Sequence, residues 1–148
     1  MGAPHIANSG VYFKEASCNG ISITAGGTGD NTALTGATID RLGYGSACFA
    51  IAYKTTLAAS ETLSFAAEYQ VSADGTNWDT AVALQAATVA RTGAVTNVHG
   101  VVKFDVNLEP LKRYIRFNFT PDLSRANTDT AVVYGVAILG GADLLPAV

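Results

Sequence analysis

Two histidines are the first place to look for acid–base chemistry in this 148-residue chain. His5 lies in a polar N-terminal stretch, and His99 sits in Asn97-Val98-His99-Gly100 at the start of an alternating segment. Neither has a serine or cysteine of the nucleophile-elbow type beside it. The twelve carboxylates are scattered singly and mostly in turns, so no pair stands out as a glycosidase acid and base. Asp74-Gly75-Thr76-Asn77-Trp78-Asp79 offers oxygen ligands at alternate positions, as a calcium loop does, but lacks the closing bidentate glutamate. A tight turn explains it better, with Asp74 bonding forward to backbone, Gly75 at positive φ and Trp78 folded over the sandwich end. Cys18 and Cys48 lack zinc spacing. They are expected as reduced thiols, with a bridge between them left open. The glycine-rich run Ala25–Asp30 has no following Lys-Ser or Lys-Thr, so it is a turn rather than a phosphate loop. These residues predict no catalytic group, no metal and no cofactor.

The elements that would position such residues are strands. In Thr62–Ser72, Leu63, Phe65, Ala67, Tyr69 and Val71 alternate with polar or small residues, the period-two pattern of a half-buried strand. Ser46–Thr55 alternates likewise through Ala47, Phe49, Ile51 and Tyr53. Leu57–Glu61 between them reads as a hairpin connection, which makes the two strands expected neighbours. Val101–Leu108, Arg113–Thr120 and Thr130–Leu139 are further strands, with Gly20–Thr24 and Ala37–Leu42 as shorter ones. Ala81–Ala90 is Ala-rich and slips phase; it reads as an irregular edge strand, with a short helix as the alternative. Phe49, Ile51, Leu63, Phe65, Tyr69, Phe104, Ile115, Phe117, Val132 and Ile138 are the expected core.

Short strands separated by turn chemistry predict an all-β antiparallel β-sandwich, Ig-like or jelly-roll. It would span residues 20–139, flanked by an N-terminal arm at 1–19 and a C-terminal arm at 140–148. Hydrophobic residues make up 49% of the chain and charged residues only 14%, with mean hydropathy +0.25. Globular domains carry roughly 25% charge, so surface is expected to be buried by self-association or by docking on a lattice. No apolar run reaches the roughly 20 residues of a spanning helix, and Met1–His5 lacks the features of a signal peptide. A net charge of −3 without a basic block gives little to neutralise phosphates. Neither membrane nor nucleic acid is an expected partner.

Two resemblances add to this reading. Glu68–Trp78 (EYQVSADGTNW) and Arg113–Phe117 (RYIRF) resemble the turn and strand of discoidin-like carbohydrate- or lipid-binding domains, but without their opening aromatics or disulfide. Arg113–Pro146, ending in Gly140-Gly141-Ala142-Asp143-Leu144-Leu145-Pro146, is similar to small head decoration, cement or minor capsid proteins of tailed bacteriophages. That resemblance implies a structural virion protein on the phage head surface, made in the host cytoplasm. Its partners would be the major capsid protein and further copies of itself, often as trimers. The arms would make the contacts, through Pro4, His5, Ile6, Val11, Tyr12, Phe13, Leu144, Leu145 and Pro146. A carbohydrate-binding or adhesion module, on a tail or fibre, is the alternative function.

Overall fold

The computed structural model describes residues 12–92, 96–124 and 128–143. Ten strands follow one another: β1 (Lys14–Thr24), β2 (Leu34–Thr35), β3 (Ile39–Asp40), β4 (Tyr44–Thr56), β5 (Thr62–Ser72), β6 (Val82–Ala83), β7 (Ala87–Ala90), β8 (Asn97–Asn107), β9 (Tyr114–Leu123) and β10 (Thr130–Ala142). Among the described residues there is no helix. Sheet A has the order β1-β10-β4-β8; sheet B has β2-β9-β5-β6, with β3 also on β9 and β7 also on β5. Every pairing is antiparallel. Counting β2 with β3, and β6 with β7, as one interrupted strand each leaves four strands per sheet. Their order is then first-last-third-sixth in sheet A and second-seventh-fourth-fifth in sheet B. That is the jelly roll, one of the two sandwiches that the strand pattern allows.

The two strands expected to form a hairpin, β4 and β5, lie in opposite sheets. Leu57 is the cause: it is 1% exposed and belongs to the core. Its N–H donates to Thr96 O and that of Ala58 to Asp129 Oδ1, so the connection dives across the end of the sandwich. Ala81–Ala90 is indeed an irregular edge, split into β6 and β7. Both arm boundaries move outward, because Lys14–Asn19 belongs to β1 and pairs with β10, while Gly140–Ala142 belongs to β10 and pairs with β4.

Aromatic rings fill the space between the sheets. Phe49 stacks on Phe117 at 5.1 Å and on Phe104 at 6.3 Å, and meets Phe119 at 5.8 Å. Phe65, Leu63, Ile51 and Ile115 are fully buried around them, and Tyr69 is half-buried against the same cluster. This bulk corrects the expected phase of the last strand. In β10 the inward residues are Ala131, Val133, Gly135, Ala137 and Leu139; Val132 is 41% exposed and Ile138 only half-buried. A β carbon at Gly135 would stand 2.8 Å from the Phe119 ring and 2.9 Å from that of Phe49. Close packing therefore demands the small set of β10 residues beneath the rings and turns the large set outward.

Candidate functional site

The inverted phase of β10 leaves an apolar outer face on sheet A. Register places Gly20, Tyr134, Ala52 and Val101 in one row across all four strands. Tyr134 is 55% exposed, Val101 is 63% exposed, and the Tyr134 ring lies over Gly20. Ser22, Val132, Lys54 and His99 form the row on one side; Cys18, Val136, Ala50 and Lys103 form that on the other. Lys103 is bonded to Asp105 on the same strand at 3.0 Å. Towards the β1 start, a groove of about 610 Å³ opens between Phe13, Ser46, Cys48, Asn107, Ile138 and Gly140. Phe13 is 53% exposed, and its ring lies beside Gly140. A face whose central row is apolar, with Lys54 and Lys103 in the rows beside it, suits burial against another protein surface.

Sheet B presents the opposite chemistry. Asn118 donates to Glu68 Oε1 at 3.2 Å and to Gln70 Oε1 at 3.1 Å, while Arg116 donates twice to Gln70 Oε1. The Arg116 guanidinium sits 4.3 Å from the Trp78 ring centroid. Trp78 thus lies on the outer face of sheet B rather than over the sandwich end, drawn there by the cation–π contact. Lys112 pairs with Asp79 at 2.7 Å and Arg113 with Asp40 at 2.6 Å. The Arg113 bonds hold the Asp40 carboxyl below its usual range.

Asp74 and Cys48, two of the residues that could have done chemistry, are engaged by their neighbours. Asp74 accepts from the Asn77 and Thr76 amides at 2.8 and 2.9 Å, and from Asn77 Nδ2 and Ser72 Oγ. Those bonds hold its carboxyl far below the usual range. Gly75 takes φ +77° beside it, as the turn requires. Among the described residues no three His, Cys, Asp or Glu side chains gather to hold a metal. Cys48 is partly buried, and desolvation together with a bond to Asp105 pushes its thiol up, the reverse of nucleophile activation. Cys18 lies on β1 and Cys48 on β4, with β10 between them. Two strand spacings amount to about 10 Å, beyond the roughly 7 Å that a disulfide can span.

Of the arm residues expected to bind a partner, Tyr12 and Phe13 are among the described residues, and Phe13 lines the groove on sheet A. Pro4, His5, Ile6, Val11, Leu144, Leu145 and Pro146 lie outside the described residues. The face itself was missed in the sequence, because Val132, Tyr134, Val136 and Ile138 look like core residues until the Phe49–Phe119 rings claim that volume.

No family model and no curated protein matches this chain. Among solved structures it is similar to one of infectious bursal disease virus, Gx strain, at TM-score 0.48 and 12% identity. That match covers 93% of this chain and 35% of the virus chain, so this chain spans about a third of the length of its neighbour. A likeness this distant carries no functional argument.

Proposed function

We propose that this chain is a structural virion protein: a decoration or cement protein that docks on the major capsid protein of a phage head and bridges coat subunits. One observation carries the reading, the apolar central row on the outer face of sheet A, with Tyr134 and Val101 exposed in it. Jelly rolls serve in capsids and in lectins alike, so the fold does not choose between them. The faces do. The sole tryptophan, Trp78, is engaged by Arg116, and the exposed Tyr134 ring lies in a row with Gly20, Ala52 and Val101, which lacks the polar partners that a sugar's hydroxyls need. A cement protein needs area: buried apolar surface contributes about 25 cal/mol per Å² before association costs, and many copies on a lattice gain avidity.

The test is cosedimentation with heads of the encoding virus, stripped of this protein. Wild type should bind at saturable occupancy and raise the temperature at which heads release DNA. Tyr134→Asp and Val132→Asp, both on the exposed face, should lose that binding while keeping the fold. Undiminished binding by both variants would refute docking through sheet A. Failure of wild type to bind heads at all would refute the role.

A further inference from the structure

The sandwich has four sheet edges, and three are blunted. Sheet B ends in β2 and β3 on one side and β6 and β7 on the other, none longer than the four residues of β7. The β1 edge of sheet A is broken by a register shift between Glu15 and Ser17. Short strands and bulges are the usual protections against edge-to-edge pairing. β8 has neither. It runs for 11 residues in unbroken register with β4, and among the described residues no strand pairs with its other side.

We infer that β8 pairs antiparallel with β8 of a second copy of this chain, about a two-fold axis at Val102, joining the two A sheets into one. The backbone is set for it. Leu57 N–H donates to Thr96 O and Leu108 N–H to Gly45 O, each at 2.9 Å. Antiparallel hydrogen-bonded pairs alternate, so even-numbered residues of β8 address β4 and the odd-numbered ones turn their N–H and C=O outward. In the paired strands His99 exchanges bonds with Asp105 of the second copy, Val101 with Lys103, and Asn97 with Asn107.

Side chains select this register. A shift by one residue would set the core face of one copy against the outer face of the other. Centring the axis on Lys103 would set two lysines directly opposite, and like charges opposite one another destabilise a pair; centring it on Val101 would pair only residues 97–105 and leave the end of the strand unpaired. Centring on Val102 instead places imidazole against carboxylate and uses the whole strand. On the inner face it sets Val98 against Val106, and Gly100, which Tyr53 of its own chain covers, against Phe104. The sandwich is also open on this side. A groove of about 490 Å³ lies between Leu84–Ala87 and the Val102–Asp105 stretch of β8, and a second copy would close it.

The pairing holds whether or not the chain sits on a capsid, and sedimentation equilibrium of the free protein reads it alone. Wild type should have the mass of two chains. Val101 is exposed and its N–H faces outward, so Val101→Pro removes an edge donor without touching the β4 ladder. It should be monomeric with an unchanged circular dichroism spectrum. Val101→Lys sets like charges opposite in two symmetric pairs and should raise the dissociation constant about tenfold. Val101→Glu faces Lys103 and should not raise it. A single-chain mass for wild type at every concentration overturns the inference, as does a trimer indifferent to all three substitutions. Equal weakening by Lys and Glu overturns the register. Head binding by Tyr134→Asp, which leaves the β8 edge intact, reports separately on the proposed role.

Discussion

Replacing Gly135 by alanine tests the packing that decides which face of sheet A is outward. The backbone there is ordinary strand, so Gly135 is not needed for its φ; it is needed because the Phe49 and Phe119 rings leave no room for a methyl group. Phe49 cannot retreat, since Phe117 stacks on it at 5.1 Å and Phe104 at 6.3 Å. Overpacking of this kind costs about 1–3 kcal/mol. Loss of glycine freedom in the unfolded chain offsets about 0.4–1 kcal/mol. A net loss of about 1–2 kcal/mol should lower the melting temperature by roughly 2–8 °C at this chain length. Urea denaturation should show a lower midpoint at unchanged slope. The cause is separable by a double-mutant cycle: with Phe49→Leu, Gly135→Ala should recover about 1 kcal/mol or more of its cost. Gly135→Ala at wild-type stability, or zero coupling to Phe49, would refute the reasoning.

Three further expectations follow from the same geometry. Val132→Ser, on the exposed face, should change the stability of the free chain by less than about 0.5 kcal/mol, whereas Val133→Ala, at a fully buried position, should cost about 1–3 kcal/mol; reversed effects in denaturation would restore the inward phase of Val132. The hydrogen bonds at Asp74 depress its carboxyl in the folded state, so its stabilisation is present above the unfolded value of about 3.9 and is lost as pH falls towards the folded value. The difference in melting temperature between wild type and Asp74→Asn should therefore be largest near neutrality and shrink below about pH 4; a constant difference would refute it. Thiol titration of the unfolded, unreduced protein should find both Cys18 and Cys48 free, since β10 separates their strands; a protected pair would contradict the strand order.

The alternation in Thr62–Ser72 and Ser46–Thr55 identified β5 and β4 and the inner faces of both, because each pairs large apolar residues with small or polar ones. The same rule fails at β10, where both faces are apolar. Val132, Tyr134, Val136 and Ile138 outweigh Ala131, Gly135 and Ala137 in bulk, so a reading that ranks single strands by hydrophobicity chooses the wrong side. The choice is made by volume on the other sheet, where Phe117 and Phe119 come from a segment distant in sequence. Partner choice is non-local in the same way. Leu57–Glu61 is short enough for a hairpin, and only the burial of Leu57 against residues near 96 and 129 reveals a crossing. The apolar outer face of sheet A is a product of both effects, which is why it was not legible. The turn at Asp74, by contrast, is local chemistry and was readable, apart from the place of Trp78, which Arg116 on a distant strand decides.

The order of sheet A also fixes the timing of its assembly. β1 has β10 as its sole strand partner there, and β10 is inserted between β1 and β4. During synthesis at about 5–20 residues per second, β1 waits roughly 5–20 s for its neighbour to be made. For that interval β4 and β8 can form a ribbon, but the apolar row that ends at Val101 has no centre and the Phe49 ring has no floor. The nascent chain is therefore most vulnerable to premature association just before β10 emerges. Chaperone capture should peak on ribosome-bound chains that stop short of Thr130 and fall away once Ala142 has cleared the exit.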